Sequence, residues 1–277
     1  MRAVRRLGRT LYLLSALLIL GAVWTAKAEP LAHSAPGYPK TDITPVLEQK
    51  VFTQSDYTLL YRQTGLGQAA VDSLCERGEA RRLLFFQRQF FAPAQWDCMP
   101  GSPVTSQEVL RQAAEFGPLE EGDILLTPCS HCGGWRNGHA ALVLDAEKGL
   151  TLEAVVLGKN SEVRSLESWK SRPAFIVLRL KDTPAEKRRE IALAARDQLC
   201  GLPYDLLAGI FDGGQKTAGG TQCAHLVWQA FMAFGYDLDS DGGLVVTPSD
   251  LAHSPLLEVV QIYGIEAGKR WPTDAGP

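Results

Sequence analysis

The 277-residue sequence lacks an excess of charge of either sign: 28 Lys and Arg face 31 Asp and Glu, which leaves a formal net charge of −3. Proteins that bind nucleic acid through its phosphates carry a basic surface, so we expect no nucleic acid as a partner. The sequence also lacks internal repeats and low-complexity tracts. With 45% hydrophobic and 21% charged residues, its composition is that of a globular protein with one large domain or two small ones.

The N-terminus has the composition of an export signal. Residues 2–9 are strongly basic, an apolar run follows over residues 11–24, and Ala26 and Ala28 occupy the small-residue positions that signal peptidase recognises. The apolar run is short for a membrane span, so cleavage after Ala28 is favoured over a retained anchor. No cysteine stands at the cleavage site, which argues against a lipoprotein. We therefore expect a periplasmic or secreted protein, with a signal peptide over residues 1–28 and no stable membrane span after processing.

The rest of the chain divides into a helical part and a β-rich part. Residues 29–53, rich in Pro, Ala, Gly and Ser, read as an extended leader, and residues 54–118 as an N-terminal helical segment. Residues 119–265 form the main domain, in which short β-rich runs precede two helices, and residues 266–277 are a C-terminal tail. This order of elements indicates an α+β fold with an antiparallel sheet.

The stretch over residues 219–231, GGTQCAHLVWQAF, places Cys223 at the start of a helix directly after two glycines. A thiol reacts as the thiolate, and the unpaired N–H groups and positive dipole end of a helix N-terminus favour that anion. The backbone N–H groups of Gln222 and Cys223 could also hold a developing oxyanion. A lone thiol is more often a buried structural cysteine, so a catalytic assignment depends on a nearby base.

Only five histidines are available as that base, and His139 is the best placed of them. It opens the apolar run HAALVLD, where a polar residue is out of pattern. Glu153 is the out-of-pattern charge in the next run, and its carboxylate could accept the imidazole N–H and stabilise imidazolium. The two side chains share a face if the hairpin loop between the strands holds an odd number of residues, and an even loop separates them. A solvated strand face is the alternative for Glu153.

Six cysteines in an exported protein invite disulfide bonds, although a free thiol at Cys223 would leave an odd number. Cys75 with Cys98 is one candidate bridge. Cys129 with Cys132, in the loop CSHCGG, is another. Zinc is an alternative for that loop, but it usually takes four ligands and only three are at hand.

One further pattern resembles part of a calcium site, and we expect no metal there. Residues 237–243, DLDSDGG, match the first half of a calcium loop, but Pro248 stands where a bidentate Glu should close it. A solvated Asp-rich turn is therefore favoured.

Two tryptophans are considered as walls of a substrate subsite. Trp135 is a candidate wall, whereas Trp228, on an apolar helix face, is expected in the core.

Six short motifs follow one another along the chain: GDILLT, GHAALVLD, LEAVV, GLPYD, CAHLVWQAF and VTPSDL. In this order they resemble the permuted papain-fold amidases, the YiiX/YaeF-like relatives of NlpC-type cell-wall peptidases and of lecithin-retinol acyltransferase. The resemblance covers residues 54–262, and each motif alone is weak. It implies a permuted papain-like fold in which the nucleophile helix follows the sheet. The chain departs from the family at Ala224, where a Ser or Gly often stands, and in the added CxxC loop.

The resemblance also implies roles for individual residues. Cys223 matches the family's nucleophile, His139 its base and Glu153 its acidic third member, while Tyr204 of GLPYD matches a tyrosine that positions substrate or helps the oxyanion. We therefore expect an exported cysteine amidase or peptidase that works through an acyl-enzyme, with cell-wall peptides among its candidate substrates. An acyltransferase or thioesterase on lipid-like substrates, and a non-catalytic binding module of the same fold, are the alternatives.

Overall fold

The computed structural model describes residues 32–102, 104–206, 208 and 219–274. The signal peptide expected over residues 1–28 lies outside these ranges. None of the described helices combines the length and the apolar character needed to cross a membrane.

The N-terminal part of the described chain begins with a group of short helices. They are α1 (Thr44–Leu47), α2 (Gln54–Thr64), α3 (Gln68–Glu76) and α4 (Arg82–Phe91). Helix α2 starts with a capping box between Thr53 and Asp56, and it ends at Gly65, whose positive φ of 72° closes the last turn. A side chain at residue 65 would also meet the backbone oxygen of Ile262, so both the backbone conformation and the lack of space require glycine there.

Within the segment over residues 54–118, the helices end at Phe91. Ala92 has extended backbone angles because Pro93 disfavours the helical conformation of the residue before it. An antiparallel hairpin follows, made of β1 (Trp96–Ser102) and β2 (Thr105–Leu110). The helical pattern of the sequence and the helices of the structure therefore both end at Phe91, and the hairpin occupies the second half of the segment.

The main domain is built on a six-stranded antiparallel sheet. Its strands are β3 (Ile124–Thr127), β6 (His139–Asp145), β7 (Leu150–Glu153), β8 (Glu162–Ser165), β9 (Phe175–Leu180) and β10 (Leu257–Tyr263). Across the sheet they are ordered β10–β9–β3–β6–β7–β8. Two short strands, β4 (Ser130–Cys132) and β5 (Trp135–Arg136), join the first hairpin in a second sheet, ordered β1–β2–β4–β5. The α+β class with antiparallel sheets is confirmed.

Helices cover both faces of the main sheet. The remaining helices are α5 (Glu167–Lys170), α6 (Ala185–Leu199), α7 (Cys223–Met232) and α8 (Pro248–His253). Leu126 and Leu142 belong to the core shared with α6 and α7, whereas Leu125 and Ala141 belong to the core shared with the N-terminal helices. Neighbouring residues of a strand point to opposite faces, so these strands must be apolar at every position.

The leader and the tail pack against the domain. Ile43, in the leader, is fully buried, and Trp271, in the tail, is 9% exposed and joins the core around α7. Strand β10, at one edge of the main sheet, was not expected from the sequence. The leader and the tail therefore each contribute a buried side chain to one of the two cores.

A buried ion-pair network ties β9 to the start of β3. The guanidinium of Arg179 donates from Nε and Nη2 to the two carboxylate oxygens of Asp123, at 2.7 and 2.8 Å, and Asp123 is fully buried. Glu120 accepts from both Arg179 and Arg188 at the same end of the sheet.

Removing the arginine of this pair should destabilise the protein strongly. Arg179→Ala leaves the Asp123 carboxylate buried without its partner, so we expect the free energy of unfolding to fall by about 3–5 kcal/mol. Arg196→Ala, which removes an exposed pair with Asp197 on α6, should cost less than about 1 kcal/mol. Urea unfolding measures both changes, and equal losses would contradict this account of the network.

Candidate active site

A hairpin brings His139 and Glu153 together. His139 is the first residue of β6 and Glu153 the last of β7, and the imidazole Nε2 lies 2.7 Å from the carboxylate Oε2. The connecting loop over residues 146–149 has four residues, which alone would place the two side chains on opposite faces. A register shift between Val143 and Asp145 adds one residue to β6 and restores the shared face.

Glu153 is held by two further donors. The hydroxyl of Thr151 and the indole N–H of Trp169 both donate to its Oε1, at 2.7 and 3.1 Å. Burial raises the pKa of Glu153, but hydrogen bonds from His139, Thr151 and Trp169 outweigh burial and leave the pKa below its ordinary value. The carboxylate therefore stays ionised and keeps its orientation toward His139.

Trp169 also supports the imidazole directly. Its ring stacks on that of His139, with centroids 5.5 Å apart and planes 17° from parallel. Sequence reasoning missed this residue, because a tryptophan on the four-residue helix α5 carries no motif. Thr151 was missed too, although its position two residues before Glu153 on one strand places both on the same face.

Cys223 is the first residue of α7, and it lines the same cavity as His139, close enough to raise the pKa of the imidazole. Because the imidazole Nε2 faces Glu153, Nδ1 is the nitrogen left for the thiol. Burial lowers the pKa of His139, but the contacts with Cys223 and Glu153 outweigh it and raise the pKa to about 9. The imidazole is therefore protonated at neutral pH and places a positive charge beside the sulfur.

Gln222 is the N-cap of α7, and this fixes its side chain. Its Oε1 accepts from the backbone N–H of Ala224 at 2.9 Å, and its Nε2 donates to the carbonyl of Val246 at 2.6 Å. The side chain is therefore occupied by these two bonds, and the oxyanion donors considered from the sequence are the backbone N–H groups of Gln222 and Cys223. Cys223 is at the first helical position, where the backbone N–H has no acceptor within the helix, so this N–H is a candidate donor to an oxyanion.

Tyr204 lies beside the start of α7. Asp205 donates its backbone N–H to the carbonyl of Thr221 at 2.8 Å, and Thr221 donates to the carbonyl of Pro203 at 3.0 Å. These two bonds hold Tyr204 in the wall of the cavity that also contains Cys223. Burial, with Cys223 and Cys132 nearby, raises the pKa of Tyr204, so its hydroxyl remains a proton donor.

The thiol opens into a cavity of about 280 Å³. One wall comes from the second sheet, including Gln107 of β2 and His131 and Cys132 of β4. Trp135, considered as a subsite wall, is not among the lining residues. It lies on β5 and is 46% exposed.

Two other residues weighed in the sequence have structural contacts. Trp228 is 8% exposed, as expected of a core residue, and its indole N–H donates to Asp237 at 2.8 Å. His225 lies 3.3 Å from the hydroxyl of Thr221 and stacks on Trp228.

The six cysteines are free thiols, so neither candidate disulfide forms. Cys75 lies on α3, whereas Cys98 is exposed on β1 of the second sheet. The sulfur of Cys129 is buried 3.5 Å from the carbonyl of Ala32, while Cys132 faces the cavity. The two cysteines of the CxxC loop therefore point to different surroundings.

At the Asp-rich turn, the three carboxylates that lie close together are not the three of the sequence motif. Asp239 and Asp241 are joined by Asp250 of α8, with one oxygen of each within 4.8 Å of the others. Asp237 is instead held by Trp228. Among the described residues this is the one group that could hold a metal ion, and exposed acidic groups commonly hold none.

No family model and no curated protein matches the sequence. Among solved structures, the chain is similar to the crystal structure of the metalloprotein YiiX from Escherichia coli O157:H7. The sequences are 16% identical, the TM-score is 0.36, and the match covers 51% of this chain and 96% of that one. A likeness at this level assigns neither a fold nor a reaction to this chain.

The pKa of His139 gives a titration experiment. Labelling of the histidine rings for NMR should show one imidazole, absent in His139→Gln, that titrates at about 9. Because this lies above the ordinary value of 6.5, the contacts of His139 stabilise the fold at low pH and lose that effect as pH rises through about 9. Glu153→Gln removes the negative partner and should move the titration to lower pH. A wild-type titration near 6.5 would contradict the proposed contacts.

Gly220 lets the Tyr204 segment approach α7 closely. A Cβ at residue 220 would lie 2.8 Å from the Cβ of Asp205 and 2.9 Å from the carbonyl oxygen of Pro203, whereas one at Gly219 would meet no atom within 4 Å. We expect Gly220→Ala to lower the free energy of unfolding by about 1–3 kcal/mol and Gly219→Ala to leave it nearly unchanged. Thermal and urea unfolding compare the pair, and equal effects would rule out the close approach.

Proposed function

We propose that this chain is a cysteine hydrolase of the permuted papain-like type, which cleaves an amide bond through an acyl-enzyme at Cys223. The observation that carries the proposal is the convergence of a thiol, an imidazole and a carboxylate in one buried cluster at a cavity. Cys223 contacts His139, and His139 donates to Glu153 at 2.7 Å. A nucleophile, a base and an orienting third group in this order define nucleophilic catalysis by a triad.

The first half of the reaction forms a thioester. His139 holds the proton that it shares with the Cys223 thiol, and the sulfur of Cys223 attacks the substrate carbonyl to form a C–S bond. The negative charge on the carbonyl oxygen is stabilised by the backbone N–H of Cys223, with the hydroxyl of Tyr204 as a second candidate donor. The imidazolium then protonates the leaving nitrogen, the C–N bond breaks, and the amine departs.

The second half returns the enzyme to its starting state. His139 removes a proton from water, which attacks the thioester carbonyl, and the C–S bond breaks to release a carboxylic acid. Glu153 keeps its charge throughout and stabilises the imidazolium at each stage, because its three donors hold the carboxylate ionised. All of these steps use groups that the chain itself provides.

The order of elements supports the permuted form of the papain-like fold. The strands that carry His139 and Glu153 precede the helix that Cys223 opens, which matches the order of the sequence motifs. The export signal in the sequence supports a periplasmic or secreted location, where cell-wall peptides are candidate substrates.

Hydrolysis of small amides tests the proposal. A panel of peptide anilides, N-acyl anilides and peptidoglycan fragments should include one that the wild-type protein hydrolyses, and Cys223→Ala should lower its kcat/KM about a thousandfold or more. Cys200→Ala, which removes an exposed thiol at the end of α6, is the matched control and should retain the activity.

The outcomes separate an enzyme from a binding module. Hydrolysis that is lost in Cys223→Ala and kept in Cys200→Ala supports the proposal. Release at equal rates from wild type and Cys223→Ala, or no release from any member of the panel, overturns it in favour of a non-catalytic module.

A further inference from the structure

Arg172 is a buried arginine whose donors are not paired with a carboxylate. It lies between α5 and β9 and is 4% exposed, yet its Nε and Nη1 have no hydrogen-bond partner among the described residues. The other buried arginines in the described part of the chain, Arg179 and Arg188, both donate to carboxylates. Burying a charge without pairing it is costly, so the stability of the fold gives no reason for a guanidinium at this position.

The guanidinium of Arg172 lies over the ring of Trp169. Its Cζ is 5.8 Å from the ring centroid, and the backbone N–H of Arg172 donates to the carbonyl of Trp169 at 3.0 Å. A cation over an indole face is attracted to it, and the attraction is stronger where water is excluded. The contact therefore helps to fix the plane of the Trp169 ring.

Trp169 connects Arg172 to the proposed triad. Its ring stacks on His139 and its N–H donates to Glu153, so one indole contacts both the imidazole and the carboxylate. Arg172 is not among the residues that line the cavity with Cys223. It can therefore act on the reacting groups only through Trp169 and through its charge.

The charge of Arg172 is felt at the triad. Burial lowers the pKa of Arg172, but a guanidinium stays protonated at physiological pH. The groups close enough to change that pKa are Cys129, Glu153, Arg164 and Glu108. Of these, Glu153 belongs to the triad, and a nearby positive charge favours its ionised form. Arg164 is the other cation near Glu153, 3.9 Å from Oε1, but its side chain is 38% exposed and water screens it.

The charge of Arg172 also opposes the positive charge on His139. Contacts of 5.8 and 5.5 Å join Arg172 to Trp169 and Trp169 to His139, so the two cations lie within about 11 Å of each other, a range at which buried charges interact. Glu153 and Cys223 face the imidazole and favour its proton, and Arg172 acts against them. An imidazolium that is held less tightly gives up its proton more readily.

We propose that Arg172 is a positioning residue of the triad: its guanidinium orients Trp169 against His139 and Glu153, and its charge helps the imidazolium to protonate the leaving nitrogen. The proposal rests on the proposed hydrolase function. It explains why an unpaired charge is buried behind the site, since residues that serve a reaction often reduce the stability of the fold.

Titration of His139 by NMR tests the role of the charge without requiring hydrolysis. Arg172→Met removes the charge and keeps a side chain of similar length, so the imidazole should titrate about half a unit or more above the wild-type value of about 9. Arg172→Lys keeps the charge and should titrate close to the wild type. Arg196→Met, which removes an exposed arginine of α6, is the control and should leave the titration unchanged.

Urea unfolding separates a positioning role from a structural one. Because Arg172→Met removes a buried charge that lacks a carboxylate partner, its unfolding midpoint should fall far less than that of Arg179→Ala, or not at all. A fall as large as that of Arg179→Ala, or failure of Arg172→Met and Arg172→Lys to fold, would show that the arginine holds the fold together and would overturn the proposal.

Kinetics on an amide that the wild type hydrolyses completes the test. Arg172 lies outside the cavity lining and acts on proton transfer, so Arg172→Met should lower kcat about fivefold to tenfold with KM nearly unchanged, and Arg172→Lys should keep most of the rate. An unchanged titration in folded Arg172→Met contradicts the positioning role, while hydrolysis that depends on Cys223 would still support the hydrolase. A shifted titration in a protein that hydrolyses no amide supports the effect of Arg172 on His139 and overturns the hydrolase.

Discussion

The proposed chemistry depends on one buried contact, the 2.7 Å hydrogen bond between the imidazole of His139 and the carboxylate of Glu153. Both side chains are almost fully buried, and a buried charge is costly unless it is paired and hydrogen-bonded. The carboxylate satisfies this condition through three donors, and the imidazole through its contacts with the carboxylate and the thiol. The protein therefore holds a positive charge next to a sulfur in a place from which water is largely excluded.

The fold around this contact explains why it is fixed. Helices cover both faces of the main sheet, so the hairpin that carries the two residues packs against a core on each side. The register shift near Leu144 sets the shared face, and Trp169 fills the space behind the imidazole. On the other side of the sulfur, Gln222 caps α7 and sets the position of its first residue. Each of these supports lies outside the reacting groups themselves.

The sequence carried the identity of the central residues but not the reason that they meet. Glycines before an apolar run predict that Cys223 opens a helix, and polar residues out of pattern single out His139 and Glu153. The shared face was expected only with a slip of one residue at the hairpin, because the AEKG loop has an even length, and the register shift near Leu144 supplies that slip. The contacts of Trp169 depend on tertiary packing between distant segments, which no local pattern reports.

Strand β10 was missed for the same reason. Its pairing with β9 joins residues 77 to 88 positions apart and has no local signal, whereas the end of α4 before Pro93 follows from a local rule that the sequence does contain. Disulfides were expected from an export signal and an even number of cysteines. These features indicate only that the environment permits a disulfide bond. Whether two sulfurs lie close enough to bond depends on the geometry of the fold, and here the cysteines are free thiols.

The most direct test of the central claim is mass spectrometry of the protein quenched during turnover of an N-acyl amide. The account predicts a mass increase equal to the acyl group on the peptide that contains Cys223, and a much smaller amount of this adduct in His139→Gln. Turnover with no acyl group on that peptide, or with an acyl group on a different residue, would contradict it.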